Sequence, residues 1–120
     1  MSNTELMKET LEEAFHYTGR VIAAIDDINS DLQTENQEKV MKFMVDLADG
    51  LKWLTDALTL TGSIQRNPVN TAELDGSLNE AVSAVGNKDY VLLGDILNYE
   101  VKPLLESWRE QTFANINLEQ

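Results

Sequence analysis

The stretch MKETLEEAFHYTGRVIAAIDDINSDL, residues 7–32, decides the fold class. Met7, Leu11, Ala14, Thr18, Val21, Ile25, Ile28 and Leu32 recur by alternating steps of four and three. At roughly 100° per residue these positions form one stripe along a helix, the seam of a helix packed near-parallel to its neighbours. Phe15 and Ile22 widen that stripe on one flank, and the spacing predicts a helix from about Thr4 to Leu32. Thr34, with Gln37 three residues on, has the spacing of a capping box and predicts the start of a second helix. The second seam runs Val40, Met44, Leu47, Leu51, Leu54, Leu58 and ends near Gly62, a residue suited to a left-handed C-terminal position.

Beyond Gly62 the helical period lapses. Residues Ser63 to Asn70 read as a loop, because Pro68 bars Asn67 from helix and carries no backbone donor. Asn70 or Thr71 caps a shorter third helix with Leu74, Leu78, Ala81, Val82 and Val85 along one face. Gly86-Asn87 breaks it, and Asn87 or Asp89 caps a fourth helix bearing Leu92, Leu93, Ile96, Leu97, Val101, Leu104, Leu105 and Trp108. Pro103 falls within that pattern, so the fourth helix is expected to kink or restart there. The polar end, Asn115 to Gln120, is expected to fray. No alternation of period two is present, so the expected fold is all-α: one domain over residues 1–120, an antiparallel four-helix bundle with a short third helix and a Pro-kinked fourth. Gly19, Gly50, Gly76 and Gly94 lie one in each helix, and close approach of packed neighbours is the expected reason.

Composition narrows the function classes. The 120 residues include no cysteine, which excludes disulfides, thiolate metal sites and a cysteine nucleophile. The longest strongly apolar run, Val21 to Ile25, is far short of the about 20 residues that span a bilayer. The N-terminal Met1-Ser2-Asn3-Thr4-Glu5 resembles no secretory leader, so a cytoplasmic protein is expected. Twenty-one acidic residues against nine basic ones give a net charge of −12. The bases are scattered singly, whereas nucleic acid and anionic membranes require clustered Lys and Arg; neither partner is expected. The acidity serves solubility, or else attracts a basic partner.

Chemistry-bearing motifs are sparse. Glu13 and the single histidine, His16, have the Glu-x-x-His spacing of carboxylate-bridged metal bundles, but such sites repeat the motif on a second helix, and no second histidine exists here. Asp46 with Asp49, and Asp95 with Glu100, are carboxylate pairs whose use in acid–base work depends on burial. Phosphate-cradling glycine motifs and a nucleophile elbow are absent. No catalytic residue, metal or cofactor is assigned, and the protein is expected not to be an enzyme. The rival to a protein-binding role is a bundle that holds a metal or small ligand through Glu13, His16 and the Asp46/Asp49 pair.

The second helix is apolar over more than half its circumference. Phe43, Gly50, Trp53, Ala57, Leu60 and Ile64 continue the seam round the helix, a wider face than a small bundle needs. Two readings stand side by side. Either this helix is central and its neighbours cover the surplus, or the surplus is a surface for a second subunit or a partner helix. The candidate partner-binding residues are Phe43, Trp53, Leu60 and Ile64. The expected function is therefore non-enzymatic binding of another protein, as an adaptor or chaperone-like partner, with a homodimer as one form.

The C-terminal block Asp89-Tyr90-Val91-Leu92-Leu93-Gly94-Asp95-Ile96-Leu97-Asn98-Tyr99-Glu100, then Pro103-Leu104-Leu105-Glu106-Ser107-Trp108, resembles the signature of small, acidic, uncharacterised bacterial helical proteins. Asp95, Tyr99, Glu100, Pro103 and Trp108 carry the likeness. Four helices ending in Leu-Leu-Glu-Ser-Trp are also similar in architecture to flagellin export chaperones. That resemblance implies a cytoplasmic bundle holding a partner's helices in apolar grooves, although the tyrosine-bearing N-terminal segment of those chaperones has no counterpart here. Read from the residues alone, Asp95, Tyr99, Glu100, Pro103 and Trp108 build a structural kink. Pro103 leaves the carbonyl of Tyr99 without its usual helical donor, and the Tyr99 phenol is placed to bond locally or to Asp95.

Overall fold

In the computed structural model, which describes residues 3–34 and 36–118, the seam of residues 7–32 lies on α1, Asn3–Gln33. Leu11, Ala14, Thr18, Val21, Ile25, Ile28 and Leu32 are all buried, and Met7 at the open end is half-buried. Thr18 fits the apolar seam because its hydroxyl donates to the Ala14 carbonyl one turn back, at 2.7 Å. α2 spans Gln37–Leu60, α3 Leu74–Gly86, α4 Tyr90–Ile96 and α5 Lys102–Leu118. A π-turn over Leu97–Val101 joins α4 to α5, so the two form one broken fourth helix of an all-α bundle. The molecule measures 47 × 23 × 18 Å, its long axis close to the length of α1.

The central helix is α1, not α2. α1 packs on α5 and on α2 and also touches α4, whereas α3 rests on α4 and the π-turn and makes only slight contact with α2. This ordering corrects the reading of the second helix as the covered centre.

Several boundaries differ from expectation for local reasons. Thr34 does not cap α2: its hydroxyl donates to the Asp31 carbonyl at 3.1 Å and finishes α1. The cap is Asn36, whose side chain accepts from the Lys39 N–H at 3.3 Å. Gly62 opens a 3₁₀ turn, Gly62–Ile64, and no glycine among the described residues has positive φ. Asn70 spends its side-chain oxygen on the Ala72 N–H at 3.0 Å, an Asx turn, so α3 begins only at Leu74. Asp89 caps α4 as expected, accepting from the Leu92 N–H at 3.1 Å. Val82, placed on the apolar face of the third helix, is exposed, and Ala84 is buried instead.

Pro103 sits at a helix restart, one of the two outcomes expected there. The Lys102 N–H donates to the Leu97 carbonyl, five residues back, and a new α-helix starts at Lys102. Pro103 then falls in a first turn, where its missing N–H costs nothing. Three long-range contacts hold this joint. Asn29 and Asn98 exchange reciprocal amide hydrogen bonds at 3.0 and 3.3 Å. The Ser77 hydroxyl donates to Glu100 at 3.2 Å, and Lys102 pairs with Asp26 at 2.6 Å. That hydrogen bond from Lys102 to Asp26 raises the lysine above its ordinary range. Tyr99 is exposed and its phenol does not bond to Asp95, while Trp108 lies in the core of α5, away from the kink.

The end expected to fray is pinned. Asn115 is 1 % exposed, and α5 continues to Leu118; residues 119–120 of that expected tail lie outside the described ones. Buried Gln65 donates to the Leu58 carbonyl at 2.9 Å and to the Thr61 hydroxyl at 3.1 Å. Its side-chain oxygen accepts from the Val69 N–H at 3.0 Å and from the Asn115 amide at 3.2 Å. Asn115 also donates to the Asn67 carbonyl at 3.0 Å and accepts from the Asn67 N–H at 3.1 Å. Two amides thus fasten the α2–α3 connection to the end of α5.

Candidate apolar groove

α2 carries two flanks beside its buried seam, and the fold treats them differently. One flank holds Phe43, Gly50 and Ala57. α1 covers it: a methyl group on Gly50 would fall on the Tyr17 hydroxyl, so only glycine leaves room for that ring. Arg109 similarly fills the space beside Gly19, but Gly76 faces open space and has no packing partner to explain it. Phe43 is half-buried in a cleft of about 260 Å³ shared with Tyr17, Arg20, Val21 and Asp46. Trp53, 41 % exposed, meets the Tyr17 ring edge-on with centroids 5.2 Å apart. Leu60 is 72 % exposed at the far end of α2, and Ile64 packs partly against the core. The four candidate contact residues therefore do not form one patch. Phe43 and Trp53 border α1, while Leu60 and Ile64 lie at the end of the helix.

The other flank holds Met41, Val45 and Ala48 at i, i+4 and i+7; Met41 and Val45 are exposed and Ala48 is half-buried. Across from it α3 presents Val82, Val85 and Gly86. Between the two helices runs a groove of about 510 Å³, floored by Met44 and Tyr90 and flanked at one end by Gln37 and Lys88. Met41, Val45 and Val82 are each exposed by half or more, although they face one another across an apolar wall. Sequence reading overlooked this stripe. Its signal was present in the 41, 45, 48 spacing, next to the seam but on the opposite side from Phe43 and Trp53.

The residues weighed for chemistry are scattered. Glu13 pairs with Arg20 at 2.9 Å, and exposed His16 meets the Phe15 ring edge-on with centroids 5.3 Å apart. Asp46 borders the Phe43 cleft and Asp49 is exposed. Among the described residues no three His, Cys, Asp or Glu side chains gather where they could share a metal ion. No helix among them is long and apolar enough to cross a membrane.

Neither the curated proteins nor the solved structures include a match to this chain. One protein family does match, over residues 9–111, from the first turns of α1 to the last turns of α5. That span takes in both walls of the groove, the π-turn and the Gln65 side of the amide clasp. The chain belongs to this family, described as a domain of unknown function, DUF8042.

Proposed function

We propose that this protein is a non-enzymatic, cytoplasmic adaptor or chaperone-like bundle that holds a helix of another protein in the α2/α3 groove. One observation carries the reading: Met41 and Val45 on α2 and Val82 on α3 line one groove and are each exposed by half or more. Two antiparallel-bundle helices with a furrow between them offer the ridges into which a third helix packs, at about 8–10 Å from each axis. Ala48 and Gly86 keep the walls low, and the flexible thioethers of Met41 and Met44 adapt to the occupant. The lining offers little acid–base chemistry, which favours binding over catalysis. A second copy of the chain is a poorer occupant, because each copy brings a net charge of −12.

The test places charge in the furrow. Val45 and Val82 are 57 % and 55 % exposed, so Val45→Asp with Val82→Asp is expected to change folding stability by no more than about 0.5 kcal/mol per site. Bound apolar side chains would have to desolvate both carboxylates, and partner affinity is expected to fall at least about 100-fold. Affinity purification from the native cell, with circular dichroism as the folding control, reads both quantities. Undiminished partner recovery by the folded double variant would overturn the groove as the binding site.

A further inference from the structure

We infer that Lys88 makes the groove select a helix that carries a carboxylate beside its apolar stripe; the inference rests on the groove reading and adds the charge of the occupant. Among the described residues Lys88 is the only charged side chain in the groove lining. Its ammonium makes no ion pair with any described residue, although the chain is strongly acidic.

Its backbone is as telling as its charge. α3 ends in a Schellman motif: the Asp89 N–H donates to the Ala84 carbonyl at 2.9 Å and the Lys88 N–H to the Val85 carbonyl at 3.0 Å. The motif requires a left-handed residue at position 88, and Lys88 holds φ 56°, the only non-glycine residue with positive φ among those described. Glycine is the residue that takes this conformation without strain, and the chain places glycine two residues earlier, at Gly86. A lysine at a position where glycine would be more stable puts a cation, with no ion-pair partner among the described residues, in the same lining as Val85 and Tyr90 at the end of an apolar furrow. Its complement is an anion on whatever lies there. A carboxylate flanking the occupant's stripe would be partly shielded from water by those side chains, and the pair would fix the helix's register and direction. At physiological salt the remaining acidic surface is screened beyond about 8 Å, so the local pair decides between occupants.

The experiment uses two synthetic amphipathic helices of about 16 residues, alike in a leucine stripe at i, i+4 and i+7 and differing in one flanking residue, Glu or Lys. Fluorescence anisotropy at physiological salt, where the remaining acidic surface is screened, is expected to show the Glu peptide bound about five- to tenfold tighter. Lys88→Gly is expected to bind both alike while melting about 3 °C higher, and Lys88→Glu to prefer the Lys peptide. Equal binding of both peptides by the wild-type protein, abolished by Val45→Asp with Val82→Asp, would overturn the role of Lys88 and leave the groove reading intact. Failure of either peptide to bind, or binding that ignores those two aspartates, would overturn the groove reading itself. A wild-type dimer in sedimentation that the two aspartates disperse would assign the groove to a second copy and overturn the carboxylate-bearing partner.

Discussion

Replacing Gln65 by alanine is expected to lower the unfolding free energy by about 3 kcal/mol, a large share of a small domain's stability. The Gln65 amide is 5 % exposed and uses all four of its hydrogen-bonding positions, two as donor and two as acceptor. Its loss leaves the Val69 N–H and one Asn115 donor bond without partners in a buried region, and leaves the Leu58 carbonyl with only the longer bond from the Thr61 hydroxyl, at 3.3 Å. Each such group costs about 1–3 kcal/mol, and relaxation of the 65–69 segment recovers part of the total. Asn115 still reaches Asn67, so the loop is expected to loosen rather than detach. Urea denaturation of the two proteins measures the difference. A midpoint unchanged by Gln65→Ala would mean that the loop is held by its apolar contacts, chiefly Val69, and not by the amide clasp.

Trp108→Ala is expected to cost more, about 4 kcal/mol. Trp108 is the largest fully buried side chain, and it stands on α5, which shares with α1 one of the most extensive helix contacts in the molecule. Truncation opens a cavity that two long helices cannot close without shifting along each other. Trp108→Phe separates volume from hydrogen bonding. The indole N–H finds no acceptor among the described residues, so phenylalanine forfeits packing but breaks no bond within the protein. Its cost is expected to be less than half that of alanine, measured by the same denaturation curves. A phenylalanine variant as unstable as the alanine one would show that the indole N–H contributes a bond that geometry does not reveal.

The sequence made the seam of α1 legible because burial there follows one period without interruption, from Leu11 to Leu32. What periodicity leaves open is which neighbour covers which flank. On α2 both flanks are apolar. Phe43 and Trp53 stand out in the sequence through aromatic size, yet they border α1, with Tyr17 fitted over Gly50 between them. The Met41, Val45, Ala48 flank carries smaller residues at equally good spacing, and only the position of α3 shows that it stays open. The Gln65–Asn115 clasp joins residues 50 apart, and nothing local in a polar C-terminus announces it. Lys88 was hidden for a different reason: Gly86 looked like the residue that ends α3, but the left-handed position falls two residues later, on a lysine.

The groove reading makes a direct spatial demand. A photo-crosslinking amino acid at Val45, inside the furrow, can be compared in the native cell with the same residue at Val91, an 80 % exposed position on α4 outside the lining. The account predicts one discrete partner adduct from position 45, lost when Val82→Asp is added, and none of that mass from position 91. Equal adducts from both positions, or an adduct at 45 that persists beside Asp at 82, would contradict it.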